Sequence, residues 1–257
     1  MSTMPVIFIG HGSPMNAIED NFFTKTWTKI GLSLPKPKAI LSISAHWYTD
    51  GTLVNNQDQP KTIYDMYGFP DELYSATYPA PGSPKLALEV EHLLEDIVKV
   101  DNSWGVDHGT WSVLHKLYPK ADIPVVQLSI DSNAPAITHY EIGKKLRPLR
   151  DQGILILGSG NIVHNLQKAD TSMDGGYPWA YDFDEYIYNS ILSGKFEDVV
   201  DYKNAGSSSE IAFWTPEHFY PLLYTLGCID ERDKIIAYNK SCVYGSISMT
   251  SYIGVRS

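Results

Sequence analysis

The sequence predicts an α/β fold: a central sheet, mostly parallel but mixed, with helices on both faces, in one domain of 257 residues. Short continuous runs of Val, Ile and Leu read as strands buried on both faces. Helical patterns separate these runs, and strands alternating with helices imply parallel pairing. No linker, internal repeat or shift of composition divides the chain.

Along the chain, strands are expected at 6–9, 39–44, 52–55, 97–100, 125–130, 154–157, 234–238 and 247–253. The first of these is the run Val6-Ile7-Phe8-Ile9, stopped by Gly10. The last alternates in polarity and is expected to run antiparallel at an edge. Helices are expected over 17–30, 84–96, 111–117, 134–150, 179–193 and 216–226. Ser83-Pro84 and Thr215-Pro216 each read as a capping residue followed by proline at the first helical position. Two irregular stretches remain. Residues 56–82 are rich in Tyr, Pro and Asp, and residues 171–177 form a polar, Gly-rich loop. Long loops in compact domains serve as lids or binding loops, or pack as ordinary surface excursions.

Composition excludes several classes. With 43% hydrophobic and 19% charged residues, the chain is neither disordered nor fibrous. It carries a net charge of -10, and its only arginines are Arg147, Arg150, Arg232 and Arg256. That balance makes a poor binder of nucleic acid or anionic membrane. No apolar run exceeds four residues, and the N-terminus lacks a basic leader. Cys228 and Cys242 form no C-x-x-C motif and read as free thiols. A cytoplasmic protein is expected.

Histidine carries the chemistry. His11 and His46 follow apolar strand-like runs directly, in Gly10-His11-Gly12-Ser13-Pro14 and Ser44-Ala45-His46-Trp47. His164 follows another in Gly158-Ser159-Gly160-Asn161-Ile162-Val163-His164. Ligands of open α/β sheets gather beyond the carboxyl ends of strands, and imidazole is the commonest protein metal ligand. These residues therefore point to a metal site. The Gly158–Asn161 stretch lacks the third glycine of a dinucleotide fingerprint, and reads as a tight turn placing His164 in the first turn of a helix. There a helix dipole would lower its pKa. Thr215-Pro216-Glu217-His218-Phe219 offers either His218 or Glu217 as a further ligand, because consecutive helical residues diverge. In Asp107-His108-Gly109-Thr110-Trp111, His108 could serve as an acid–base group or a substrate-binding donor, but these residues by themselves favour a solvated histidine in a helix-cap region. There is no H-E-x-x-H helix and no G-x-S-x-G elbow.

Taken in order, these motifs, with Tyr78-Pro79-Ala80-Pro81-Gly82 and His218-Phe219-Tyr220-Pro221-Leu222, resemble the class III extradiol ring-cleavage dioxygenases, in the branch that acts on DOPA. The resemblance covers nearly the whole chain. It implies a three-layer α/β/α sandwich forming one catalytic domain, 1–257, with one divalent metal ion at the carboxyl edge of the sheet. His11, His46 and His218 match the metal ligands. A relative branch has Glu as third ligand for Fe(II), whereas three neutral imidazoles also suit Zn(II). His164 matches the catalytic base and His108 a second active-site histidine. The implied reactants are a small aromatic diol and O2, with Fe(II) for turnover. Trp47, Trp111 and the 56–82 loop are expected to wall the ring pocket, and Asp107 or Asp65 to meet a substrate ammonium. Two alternatives use the same histidines: a zinc-dependent hydrolase and a catalytically silent metal-binding scaffold.

Overall fold

The computed structural model describes residues 3–256. Its main sheet has eight strands in the order β4-β3-β5-β2-β6-β1-β10-β7. In chain order the strands are β1 (Val6–Gly10), β2 (Ala39–Thr49), β3 (Thr52–Val54), β4 (Val98–Val100), β5 (Val125–Asp131), β6 (Ile154–Gly160), β7 (Asp233–Tyr238), β8 (Cys242–Val243), β9 (Ile247–Ser248) and β10 (Ser251–Arg256). β1, β6, β2 and β5 are mutually parallel, as the buried Val/Ile/Leu runs predict. β10 lies antiparallel between β1 and β7, so β7 rather than the closing strand forms that edge.

The helices are α1 (Phe22–Ser33), α2 (Asp71–Ser75), α3 (Pro84–Leu94), α4 (His108–Leu117), α5 (Ala136–Leu146), α6 (Pro178–Leu192), α7 (Phe196–Val200), α8 (Ser207–Ile211) and α9 (Tyr220–Gly227). Successive strand residues point to opposite faces. Accordingly Val6 and Phe8 of β1 pack into one core with α3, α5, α6 and α9, while Ile7 and Ile9 pack into the other with α1 and α4. The three-layer sandwich follows from that alternation. Among the described residues no helix is long and apolar enough to cross a membrane.

Several expected elements end differently. The helix expected over 17–30 starts only at Phe22, because Asn21 caps it, accepting from Phe23 N and Thr24 N at 3.0 Å each. Ser83 caps α3 as expected, accepting from Leu86 N at 3.2 Å, but Thr215 makes no side-chain cap. Pro216–His218 is a separate 3-10 turn before α9. The strand expected over 247–253 is broken into β9 and β10, because Met249 N turns aside to Ser241 O. Nor does His164 open a helix. Its N–H donates to Ala212 O at 2.8 Å, and Ser248 N donates to Val163 O at 3.0 Å, fixing an extended bridge between two distant segments. Both cysteines are free and buried, and the Cys228 thiol donates to Gly143 O.

Candidate functional site

The sheet brings its parallel centre to one edge, where β1, β2 and β6 end side by side. His11 stands one residue beyond β1, and its N–H continues the ladder to Gly160 O at 2.9 Å. His46 lies near the end of β2. There β2 and β5 lose register: pairing runs to Ile43↔Leu128 and resumes at Tyr48↔Ile130, so Ser44–Trp47 bulge opposite Ser129 alone. A bulge of this kind re-aims a side chain beside a site. His218 arrives from the turn before α9. Its carbonyl accepts from Asn161 N at 2.8 Å and lies so close to Gly160 that a Cβ there would meet it at 2.1 Å. Glycine at 160 is therefore what admits His218 to the sheet edge.

The hydrogen bonds behind these rings decide which nitrogen faces the site. The Ser159 hydroxyl donates its one hydrogen to Gly109 O, so at 3.0 Å from His11 Nδ1 it acts as acceptor. His11 then carries its proton on Nδ1 and a lone pair on Nε2. Asp65 Oδ2 lies 3.0 Å from His46 Nδ1, and Glu217 Oε1 lies 2.9 Å from His218 Nδ1. The Glu217 contact is a hydrogen bond that favours the proton on His218 Nδ1 and leaves Nε2 free, whereas Asp65 Oδ2 makes no aligned hydrogen bond and acts on the His46 ring through its nearby charge. The His11 and His46 Nε2 atoms are 3.4 Å apart, and His218 Nε2 is buried with no hydrogen-bond partner. One ligand atom from each of the three rings lies within 4.8 Å of the others. Metal-bound histidines are oriented in just this way, by an acceptor on the far nitrogen. The donor set thus fits a metal ion, with Glu217 aligning His218.

Two more imidazoles border the cluster. His108 is the first residue of α4; its N–H donates to Asp65 Oδ1 at 3.0 Å, and its Nδ1 lies 3.0 Å from Asp65 Oδ2. The His164 ring stacks on that of His218, with centroids 3.4 Å apart and planes at 8°. Burial holds His11 and His218 well below the usual histidine pKa, with the neighbouring imidazoles adding to the effect. Burial likewise pushes His164 down to about 3, helped by the charges of His46 and His108. A helix dipole plays no part, since no helix starts there. His108 is lowered by burial and by His46. Burial also opposes charge on His46, but Asp65, Asp107 and Glu217 outweigh it and raise its pKa. Asp65 is held far down: burial works against its charge, and its contacts with His108 and His46 prevail.

A cavity of about 630 Å³ opens over the cluster, lined by all five histidines, by Asp65, Met66, Tyr67 and Phe69 of the 56–82 loop, and by Thr171. Both irregular stretches read from the sequence therefore reach the site. Trp47 and Asp107 do not line it, contrary to expectation. Trp47 follows His46 on the opposite face of β2 and stacks on Trp104 with centroids 6.4 Å apart. Asp107 is buried, and its carboxylate accepts from Ser44 Oγ, Thr110 N, Trp104 Nε1 and Gln127 Nε2, leaving nothing for a ligand. Trp111 is also buried, donating to Ile63 O. Ser159 and the bridging role of Asp65 have no signature in the sequence.

The family model described as the catalytic LigB subunit of aromatic ring-opening dioxygenase matches residues 5–253. The chain belongs to this family. Among its LigB-type relatives, a 4,5-DOPA dioxygenase extradiol of Escherichia coli (strain K12) is 49% identical over 254 residues, covering 96% of this chain and 93% of that one. A 4,5-DOPA dioxygenase extradiol of Beta vulgaris is 42% identical over 253 residues, with 95% and 94% covered. The crystal structure of an uncharacterized protein from Escherichia coli K12 superposes with a TM-score of 0.83 at 44% identity, covering 97% of this chain and 99% of that one. This LigB-family chain is an extradiol aromatic ring-opening dioxygenase with a histidine cluster suited to a metal ion. The hydrolase and silent-scaffold alternatives are not favoured.

Proposed function

We propose that the protein holds one Fe(II) ion on His11, His46 and His218 and opens the ring of a DOPA-like catechol with O2. The observation that carries this reading is the approach of one ring nitrogen from each of His11, His46 and His218 to within 4.8 Å of the others, with a side-chain oxygen 3.0, 3.0 and 2.9 Å from the respective Nδ1 atoms. Iron rather than zinc is favoured by the chemistry, because O2 must gain electrons from the diol and Zn(II) has no accessible redox step. Bound there, the ion supplies a common site for diol and O2 and a route for electrons between them.

The protein's own groups supply proton handling and enclosure. His164, neutral at physiological pH, presents a ring nitrogen that can accept a hydroxyl proton from the catechol. His108 lines the cavity beside the carboxylate of Asp65, its Nδ1 3.0 Å from Oδ2, and is placed to exchange a proton with the reacting oxygens. The overall change is balanced without another reductant. A ring C–C bond beside the diol breaks, and both atoms of O2 enter the product.

The test is anaerobic reconstitution with Fe(II) or Zn(II), followed by O2 uptake and absorbance on a panel of catechols. Uptake stoichiometric with a yellow ring-opened product, seen with Fe(II) only and abolished by His164→Ala, is the expected result. Silence with every catechol despite tight metal binding would overturn the reading.

A further inference from the structure

Two buried polar atoms beside the histidine cluster lie next to each other without a hydrogen-bond partner. They are Asp65 Oδ2 and His108 Nδ1, 3.0 Å apart but out of line for a hydrogen bond. His46 Nδ1 lies 3.0 Å from the same oxygen, and the His46 and His108 ring centroids are 3.8 Å apart. Leaving such groups unpaired in the interior is costly, so joining them is favourable. The terminal torsion of a histidine is soft, and each ring can turn its N–H into line. The other oxygen of Asp65 is already committed, since Oδ1 accepts from His108 N at 3.0 Å. The backbone fixes where this carboxylate stands. Two residues earlier, Ile63 N donates to Val106 O at 2.8 Å, and Ile63 O accepts from Trp111 Nε1 at 2.9 Å. Just after it, Met66, Tyr67 and Phe69 line the cavity.

We propose that Asp65 is a positioning residue for ring opening: its Oδ2 takes the Nδ1–H of both His46 and His108, setting one ring to bind the metal and the other to exchange protons. This rests on the roles proposed above for those two histidines and adds the group that orders them. A carboxylate oxygen has two lone pairs, enough for two donors. Donation from Nδ1 leaves each ring a lone pair on Nε2. On His46 that lone pair belongs to the ligand set, because His46 Nε2 is the atom 3.4 Å from His11 Nε2. On His108 it can accept a proton from a substrate hydroxyl. Oδ1 meanwhile holds the backbone of His108, so that ring turns on a fixed residue. One side chain thereby links the metal ligand, the acid–base group and the cavity wall.

Asp65→Asn in the full chain separates this role from that of a structural anchor. The amide oxygen still accepts from His108 N, while an NH2 donor replaces Oδ2 and accepts from neither ring. Thermal unfolding reads whether the variant folds. Its Zn(II) affinity, by competition with a chelating dye, is expected to fall about 10–100-fold. At saturating Fe(II), kcat from O2 uptake with a catechol is expected to fall about tenfold or more, with KM within about twofold of the parent. Nitrogen-15 spectra of the Zn(II)-loaded parent are expected to show both rings as Nδ1–H tautomers, with His108 changing to Nε2–H in the variant. A folded variant that keeps parent affinity and parent kcat overturns the proposal. A loss confined to one of the two overturns it as well, because Oδ2 then does not serve both rings. If the variant does not fold, the parent spectrum decides, and an Nε2–H tautomer at His108 refutes the role given to Asp65. The two readings fail separately. Absence of O2 uptake by the parent with every catechol sinks the ring-opening assignment, while Zn(II) affinity and the tautomers still decide the role of Asp65.

Discussion

Ser159→Ala tests the claim that the scaffold fixes the tautomer of His11. In the parent, the serine hydroxyl donates to Gly109 O and accepts from His11 Nδ1–H at 3.0 Å, in a ring only 1% exposed. Alanine removes the acceptor. The metal-free variant can relax by moving the proton to Nε2, where it blocks the coordinating lone pair. Metal binding must then return the proton to an unpaired Nδ1, at a cost of about 1–3 kcal/mol, or roughly 5- to 150-fold in affinity. Loss of an outer partner of a metal-bound histidine typically costs about 10–100-fold, in agreement. The assay is competition for Zn(II) or Co(II) against a chelating dye, with thermal unfolding of the metal-free variant confirming that it folds. A folded variant whose affinity stays within about twofold of the parent would refute the tautomer argument.

Gly109→Ala should gain up to about 1 kcal/mol of helix propensity in α4 yet weaken metal binding. Its new Cβ would stand 2.6 Å from Ser44 Oγ and 2.7 Å from His46 Cδ2, displacing the His46 ring. Parent-like affinity in the same dye competition would mean that the contact yields without moving the ligand. Asp184 gives a pH dependence outside the site. Burial raises its pKa to about 6 from 3.8, against the opposing hydrogen bonds from Ser248 and Thr250. Between those two values the folded state holds a proton that the unfolded state has released. Stability therefore falls as pH rises through that window, by an amount on the order of 3 kcal/mol. Denaturant unfolding at either end should show this slope in the parent and lose most of it in Asp184→Asn; identical slopes would rule it out.

The parallel centre of the sheet was legible because strands buried on both faces need apolar residues at every position, as in β1 and β6. Periodicity says nothing about interruptions set by distant partners. Met249 leaves the ladder for Ser241, and His164 is held extended by Ala212, neither of which is near in sequence. For the same reason the five histidines could be found and their partners could not. A histidine after a strand has a local signature, whereas Ser159 and Asp65 gain their roles only when β6 and the 56–82 loop close around the rings. Glu217 and His218 are both eligible as ligands from the sequence; in the fold one Glu217 oxygen lies 2.9 Å from His218 Nδ1, an arrangement that would orient His218 as the ligand in the proposed site. The sequence neighbours of Trp47 and Asp107 predict both at the pocket, but strand alternation turns Trp47 away and four hydrogen-bond donors commit Asp107 to the interior.

The seating of the two cysteines bears on how the native molecule withstands its own cosubstrate. Burial pushes the Cys228 thiol up to about 12 and Cys242 higher still. Alkylating agents and peroxides attack the thiolate, so at neutral pH the folded chain offers them almost no reactive sulfur. Both side chains belong to the core shared with α3, α5, α6 and α9. Sulfur labelling thus becomes a clock: its rate on the intact protein reads how often that one layer lifts from the sheet.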